Sequence, residues 1–168
     1  LTGLMGLSGG IIGTFVGGIG SDWFTQKTGY GRLVFLFFIL LACSPFMIAY
    51  RLAPGDSIWI PIGLFLGMFQ IGSFFGPFFA SIQGLIPPEV RSTVIAFSIL
   101  VMNVVGMGIG ITITGVSIDV MTSYGIDQPY SVTLLGFTVF SFLAMPCFLF
   151  AGLRYKHDQE RLQISEAS

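Results

Sequence analysis

Five long apolar stretches alternate with short polar segments along the chain, and this pattern predicts membrane-spanning helices. Each stretch has about the 20 residues that a helix needs to cross a bilayer core, and none contains Asp, Glu, Lys, Arg or His. The unbroken apolar run from Leu33 to Leu41 excludes the apolar–polar alternation of a membrane β-barrel. The predicted fold class is therefore an all-α polytopic membrane protein. Its predicted spans are residues 1–20, 33–50, 58–85, 93–118 and 131–153.

Composition supports this class and excludes others. Charged residues make up 9% of the chain, against about 25% in a typical soluble domain, so a soluble domain of this size would lack a polar surface. The formal net charge is -1 and no basic cluster stands out, so no nucleic-acid partner is expected. Cys43 and Cys147 both lie inside apolar stretches, without the spacing of a disulfide framework or of a metal site.

The distribution of basic residues predicts the orientation, because Lys and Arg accumulate in short cytoplasmic loops. Six of the seven basic residues fall on one side of the predicted membrane, and only Arg51 falls on the other. The six are Lys27, Arg32, Arg91, Arg154, Lys156 and Arg161. We therefore expect a multi-pass protein of the plasma (inner) membrane, with residues 154–168 forming a charged cytoplasmic tail.

The five spans differ in composition. Spans one, three and four carry glycines at four-residue steps, such as Gly9, Gly13 and Gly17, which allow close approach of another helix. Spans two and five are rich in Phe, and each contains one proline, Pro45 or Pro146. We expect the first group to face protein and the second group to face lipid.

Three polar side chains at membrane depth are the candidates for function: Gln70, Ser73 and Asn103. Such groups either form hydrogen bonds between helices or line a water-accessible path for a solute, and the residues alone leave both interpretations open. No Ser/His/Asp set and no His/Cys cluster is present, and the one histidine, His157, lies in the tail. The chain is therefore not expected to be an enzyme, and we predict no cofactor and no metal.

The first basic loop contains a motif. Gly18, Asp22, Gly29 and Arg32 resemble the cytoplasmic loop motif of the major facilitator superfamily, although Trp23 stands where that family usually has a basic residue. Glycines before the aspartate permit close helix crossing, and Asp22 is expected to pair with an arginine or with the positive N-terminal end of a neighbouring helix. We interpret the motif as a hinge and conformational latch.

A second stretch is similar to the region between the tenth and eleventh helices of the same superfamily, in its Spinster-like branch. It runs Pro87-Pro88-Glu89-Val90-Arg91 and is followed, at the far end of the next span, by Gly115 and Asp119. Taken singly, Glu89 and Arg91 are equally typical of a capped cytoplasmic turn. The order of features along the chain is what resembles the family.

The resemblance implies that the five spans are helices eight to twelve of a twelve-helix fold, a fragment whose first seven helices lie outside this sequence. It implies a secondary carrier that works by alternating access on a small organic or amphiphilic, lipid-like solute, coupled to protons or sodium. Gln70, Ser73 and Asn103 would then line the substrate cavity. The competing functions are a membrane channel and a non-transporting membrane scaffold.

Overall fold

A computed structural model describes residues 2–53 and 57–166 of the chain, and this part is helical without a strand. Five helices are long and apolar enough to cross a membrane, as the apolar pattern predicted. The chain is thus a multi-pass membrane protein by the length and composition of its helices. They are α1 (Gly3–Thr28), α2 (Arg32–Leu52), α3 (Trp59–Gln83), α4 (Arg91–Ser123) and α5 (Pro129–Tyr155).

Helix α1 extends beyond its apolar stretch. It ends at a glycine rather than at the first charged residue. The helix continues past Asp22 to Thr28, where Gly29 adopts a left-handed conformation with φ of 74°. The Gly29 amide donates to the Thr25 carbonyl at 2.8 Å, as in a glycine C-cap. Only residues 29–31 remain as loop, so Asp22 lies on a helix.

Helices α1 and α3 pack closely along their length. A Cβ atom placed on Gly9 would lie 2.5 Å from the Phe65 carbonyl oxygen, and one placed on Gly17 would lie 2.6 Å from Cα of Ser73. Backbones therefore touch where the four-residue glycine steps predicted a protein-facing surface, as in other small-residue helix crossings in membranes.

Helix α2 contacts both α3 and α5, so it has protein neighbours as well as a surface that is open to lipid. Its residues Val34, Leu36 and Cys43 are buried. At its start, the Gly31 amide donates to the Gly152 carbonyl of α5 at 3.2 Å. Phe38, Leu41 and Phe46 remain exposed. Composition does not separate the two surfaces, because lipid tails and protein interiors in a membrane are equally apolar.

Helix α4 was expected to face protein, but within the described residues none of its side chains is buried. A Cβ atom placed on Gly106, Gly110 or Gly115 would meet nothing within 4 Å. Its central segment, Met102–Ile109, is a π-helix, a local widening that often marks functional sites. A second π-helical segment, Val16–Gly20, lies in α1 just before Asp22.

Candidate functional site

The site centres on a groove of about 590 Å³ between α2, α3 and α4. Its walls are mainly apolar, and four methionines contribute to them: Met47, Met68, Met102 and Met107. Methionine side chains are flexible and polarizable, so such walls adapt to irregular apolar shapes. The volume lies within the range of about 300–1,000 Å³ that is usual for small-molecule sites.

Gln70 brings the one side-chain amide to the groove wall. It lies near the middle of α3 and is half-buried. No hydrogen bond of its amide occurs within the described part of the chain. An amide offers two N–H donors and a carbonyl acceptor, and at membrane depth it is costly to leave these groups unsatisfied. Gln70 is therefore the polar group that is available to a molecule in the groove.

Arg51 lies at the end of the same groove where α2 ends, and in the sequence it indicated only the orientation of the chain. Its guanidinium lies 4.8 Å from the centre of the Tyr50 ring, and Nη1 donates to the Tyr50 hydroxyl at 3.3 Å. Its Nε is buried without a hydrogen-bond partner among the described atoms. The groove thus combines apolar walls, an amide and a cation. The signal that could have identified Arg51 was its place as the one basic residue opposite the other six.

Ser73 lies one helical turn from Gln70 but in a different environment. The side chain is fully buried at the α1–α3 crossing. Its hydroxyl lies 3.0 Å from the Gly13 carbonyl oxygen and 2.8 Å from the Phe69 carbonyl oxygen, so its one hydrogen is shared between the two acceptors. Of the two interpretations left open by the sequence, the placement of Ser73 favours hydrogen bonding between helices.

Asn103 is exposed on the π-helical segment of α4, and its Nδ2 donates to the Ile99 carbonyl at 2.8 Å. Its neighbour Met102 lines the groove, whereas Asn103 is not among the groove residues of the described chain. The structure therefore brings α4 to Gln70 without bringing the two amides into one groove.

The loop motif forms a compact unit at the other end of α1. Arg32 Nε donates to Asp22 Oδ1 at 2.6 Å, so of the two expected partners of Asp22 the structure shows the arginine. Gly29 provides the left-handed turn between the two partners. Gly18 lies against α3, where a Cβ atom on Gly76 would be 3.2 Å from Gly18 Cα.

The turn between α3 and α4 is held by its own arginine. Arg91 Nη2 donates to the Ile86 carbonyl at 3.3 Å, and Arg91 Nε is buried without a partner among the described atoms. Glu89 is exposed. Val90 precedes the first residue of α4 and makes no side-chain capping hydrogen bond, so Arg91 braces the turn but the expected helix cap is not formed.

Comparison of the chain with protein-family models, with curated proteins and with solved structures finds no match. Within the described residues, no group of three or more His, Cys, Asp or Glu side chains comes together to hold a metal ion. The groove and the Asp22–Arg32 pair are therefore the candidate functional features of the described chain.

Proposed function

We propose that this chain belongs to a transmembrane transporter, a secondary carrier of the major facilitator type in its Spinster-like branch. Its helices would form most of one six-helix half, and the first half would come from helices that precede them. In the plasma membrane, the basic end of the bundle would lie on the cytoplasmic side.

The observation that carries the proposal is the unpartnered amide of Gln70 in a groove at mid-membrane. A polar side chain at this depth is expensive unless it serves a substrate pathway or finds a partner. A purely structural helix bundle would satisfy the amide, as Ser73 is satisfied at the neighbouring crossing. Gln70 instead faces open space between three helices.

The loose packing of α4 agrees with a helix that moves during transport. Alternating access requires helix groups that rock against one another around a midplane site. Helices α1 and α3 form a rigid glycine-packed pair, whereas α4 has no buried side chain within the described residues and contains a π-helical segment beside the groove. We infer that α4 shifts relative to α1 and α3 during transport.

The groove chemistry favours a small organic or amphiphilic solute, including a lipid-like one. Methionine-rich walls suit an apolar body, Gln70 offers donors and an acceptor, and Arg51 offers a positive charge at the outer end. A channel would instead need a charge ring or a filter of backbone carbonyls. Neither is found among the groove residues of the described chain.

Uptake into liposomes tests the proposal directly. The full-length protein, reconstituted and given a panel of small organic ions and lipid-like amphiphiles, should show saturable uptake that increases when a proton or sodium gradient is imposed. A channel would show uptake that does not accumulate solute against its gradient. A scaffold would show no uptake above protein-free liposomes, and either result would contradict the carrier.

The latch function predicts a separate outcome for Asp22. Replacement of Asp22 by asparagine removes the charge from an ion pair whose side chains are 52% (Asp22) and 27% (Arg32) exposed. Such a pair is worth up to about 1 kcal/mol, which corresponds to a change of about fivefold in the ratio of inward-open to outward-open states. The maximal transport rate should therefore change while the half-saturation concentration stays nearly constant.

Asp127→Asn is the control, because Asp127 is also exposed but lies in the loop between α4 and α5. Exchange of the two charges, by Asp22→Arg combined with Arg32→Asp, should restore part of the rate lost in each single variant. A defect in affinity alone would contradict the latch.

A further inference from the structure

A second groove, of about 520 Å³, lies at the basic end of the bundle between α2, α3 and α5. It is distinct from the groove that holds Gln70, and its interpretation does not depend on transport. Most of its walls are apolar side chains, among them Leu33, Phe78, Ile82, Leu85 and Phe150. Its rim carries one charged side chain, Arg154.

Besides Arg154, the polar residues Ser81 and Tyr155 line this groove; both are buried, and Tyr155 already takes part in an interaction within the protein. The Ser81 hydroxyl donates to the Pro77 carbonyl at 2.7 Å. Arg154 is exposed, and it makes no ion pair with any side chain that the structure describes. No acidic residue lines the groove in the described chain. The site therefore offers an apolar channel with a single positive charge at its mouth.

The position of the groove identifies the molecule that fits it. Leu33 at the start of α2, Leu85 just after α3 and Arg154 near the end of α5 meet here, so the groove opens at the membrane surface of the bundle's basic end. A phospholipid at that depth would place its acyl chain among the apolar side chains and its headgroup beside the arginine. Basic pockets between transmembrane helices on this side are known binding places for anionic headgroups.

We propose that this groove binds an anionic phospholipid of the adjacent leaflet, with one acyl chain between α2, α3 and α5 and the phosphate paired with Arg154. Binding there would join α5 to the α2–α3 pair, next to the Gly31–Gly152 contact. The lipid would thus stabilise the packing at the end of the bundle that also carries the Asp22–Arg32 pair.

The test compares retained lipid in nanodiscs of phosphatidylcholine that contain a minor fraction of phosphatidylglycerol. After gentle extraction of the full-length protein, mass spectrometry counts the phosphatidylglycerol and phosphatidylcholine molecules that remain bound. The wild-type protein should be enriched in phosphatidylglycerol, and Arg154→Gln should lower that enrichment by about fivefold, the value expected for one basic residue near a charged membrane surface. Arg154→Lys should retain most of it.

Lys27→Gln is the matched control. It removes the same charge from an exposed residue of the same basic end, where Lys27 Nζ lies 4.9 Å from the centre of the Trp23 ring, outside the groove. Ala151→Phe, which fills the groove without changing charge, should lower the retention of both lipids. Thermal unfolding in phosphatidylcholine alone verifies that each variant is folded.

Unchanged enrichment in folded Arg154→Gln would overturn the proposal. Equal loss in Lys27→Gln would also overturn it, because the effect would then reflect general surface charge. Undiminished retention of phosphatidylglycerol in folded Ala151→Phe would show that the lipid lies elsewhere, and it would overturn the assignment of this groove.

Discussion

Replacement of Gly13 by alanine should destabilise the protein by about 1–3 kcal/mol, the usual cost of an added methyl in a packed interior. The new Cβ would meet the backbone of α3 at Phe69, with Phe69 Cα at 2.9 Å and the Phe69 carbonyl oxygen closer still. Backbone atoms cannot rotate away as a side chain can. The two helices must therefore separate, and the contacts on either side of Gly13 loosen with them.

The separation would also break a hydrogen bond. Ser73 donates to the Gly13 carbonyl at 3.0 Å, and interhelical hydrogen bonds in membranes average about 0.6 kcal/mol. Loss of this bond adds to the steric cost. We expect a lower midpoint of thermal unfolding in detergent and a lower yield of folded protein.

Gly10→Ala is the matched control, because Gly10 lies one turn away on α1 and a Cβ atom there would meet nothing within 4 Å. Alanine is favoured over glycine inside a helix by about 0.5–1 kcal/mol, so Gly10→Ala should leave stability unchanged or raise it slightly. Equal behaviour of the two variants would show that α1 and α3 do not cross at Gly13.

Replacement of Gln70 by leucine should raise the half-saturation concentration for transport by about two- to twelvefold, since one hydrogen bond contributes about 0.5–1.5 kcal/mol. The Gln70 amide has no partner within the described chain, so leucine removes no structural hydrogen bond there. Folding should be preserved, and the loss should appear in transport kinetics normalised to folded protein.

Gln83→Leu is the control for this variant. Gln83 ends α3, and it does not line the groove of the described chain. Asn103→Leu extends the test: an effect equal to that of Gln70→Leu would show that the substrate cavity reaches beyond the groove to the exposed face of α4. Unchanged kinetics in Gln70→Leu would remove Gln70 from the substrate site.

The sequence predicted contacts of site residues best when a residue type has few possible partners. An aspartate and an arginine flanking a helix–glycine–helix junction have few partners at a membrane edge, and Asp22 pairs with Arg32 as expected. Gln70 and Ser73 show the opposite case. They lie three positions apart on one helix, yet one faces a groove and the other is buried against Gly13. The two side chains lie about one helical turn apart and have different neighbours. Neither residue type nor spacing reveals which of them contacts α1 and which one lines the groove.

The sequence by itself determined the five membrane-spanning helices, because the cost of placing charge in a bilayer core restricts charged residues to the ends of each span. It also determined the glycine faces of α1 and α3, since only small residues permit backbones to touch. The tertiary structure alone decided that α2 packs between α3 and α5, and that no side chain of α4 is buried within the described residues. The reason is physical: hydropathy measures transfer from water, and an apolar side chain leaves water equally well for lipid or for another helix.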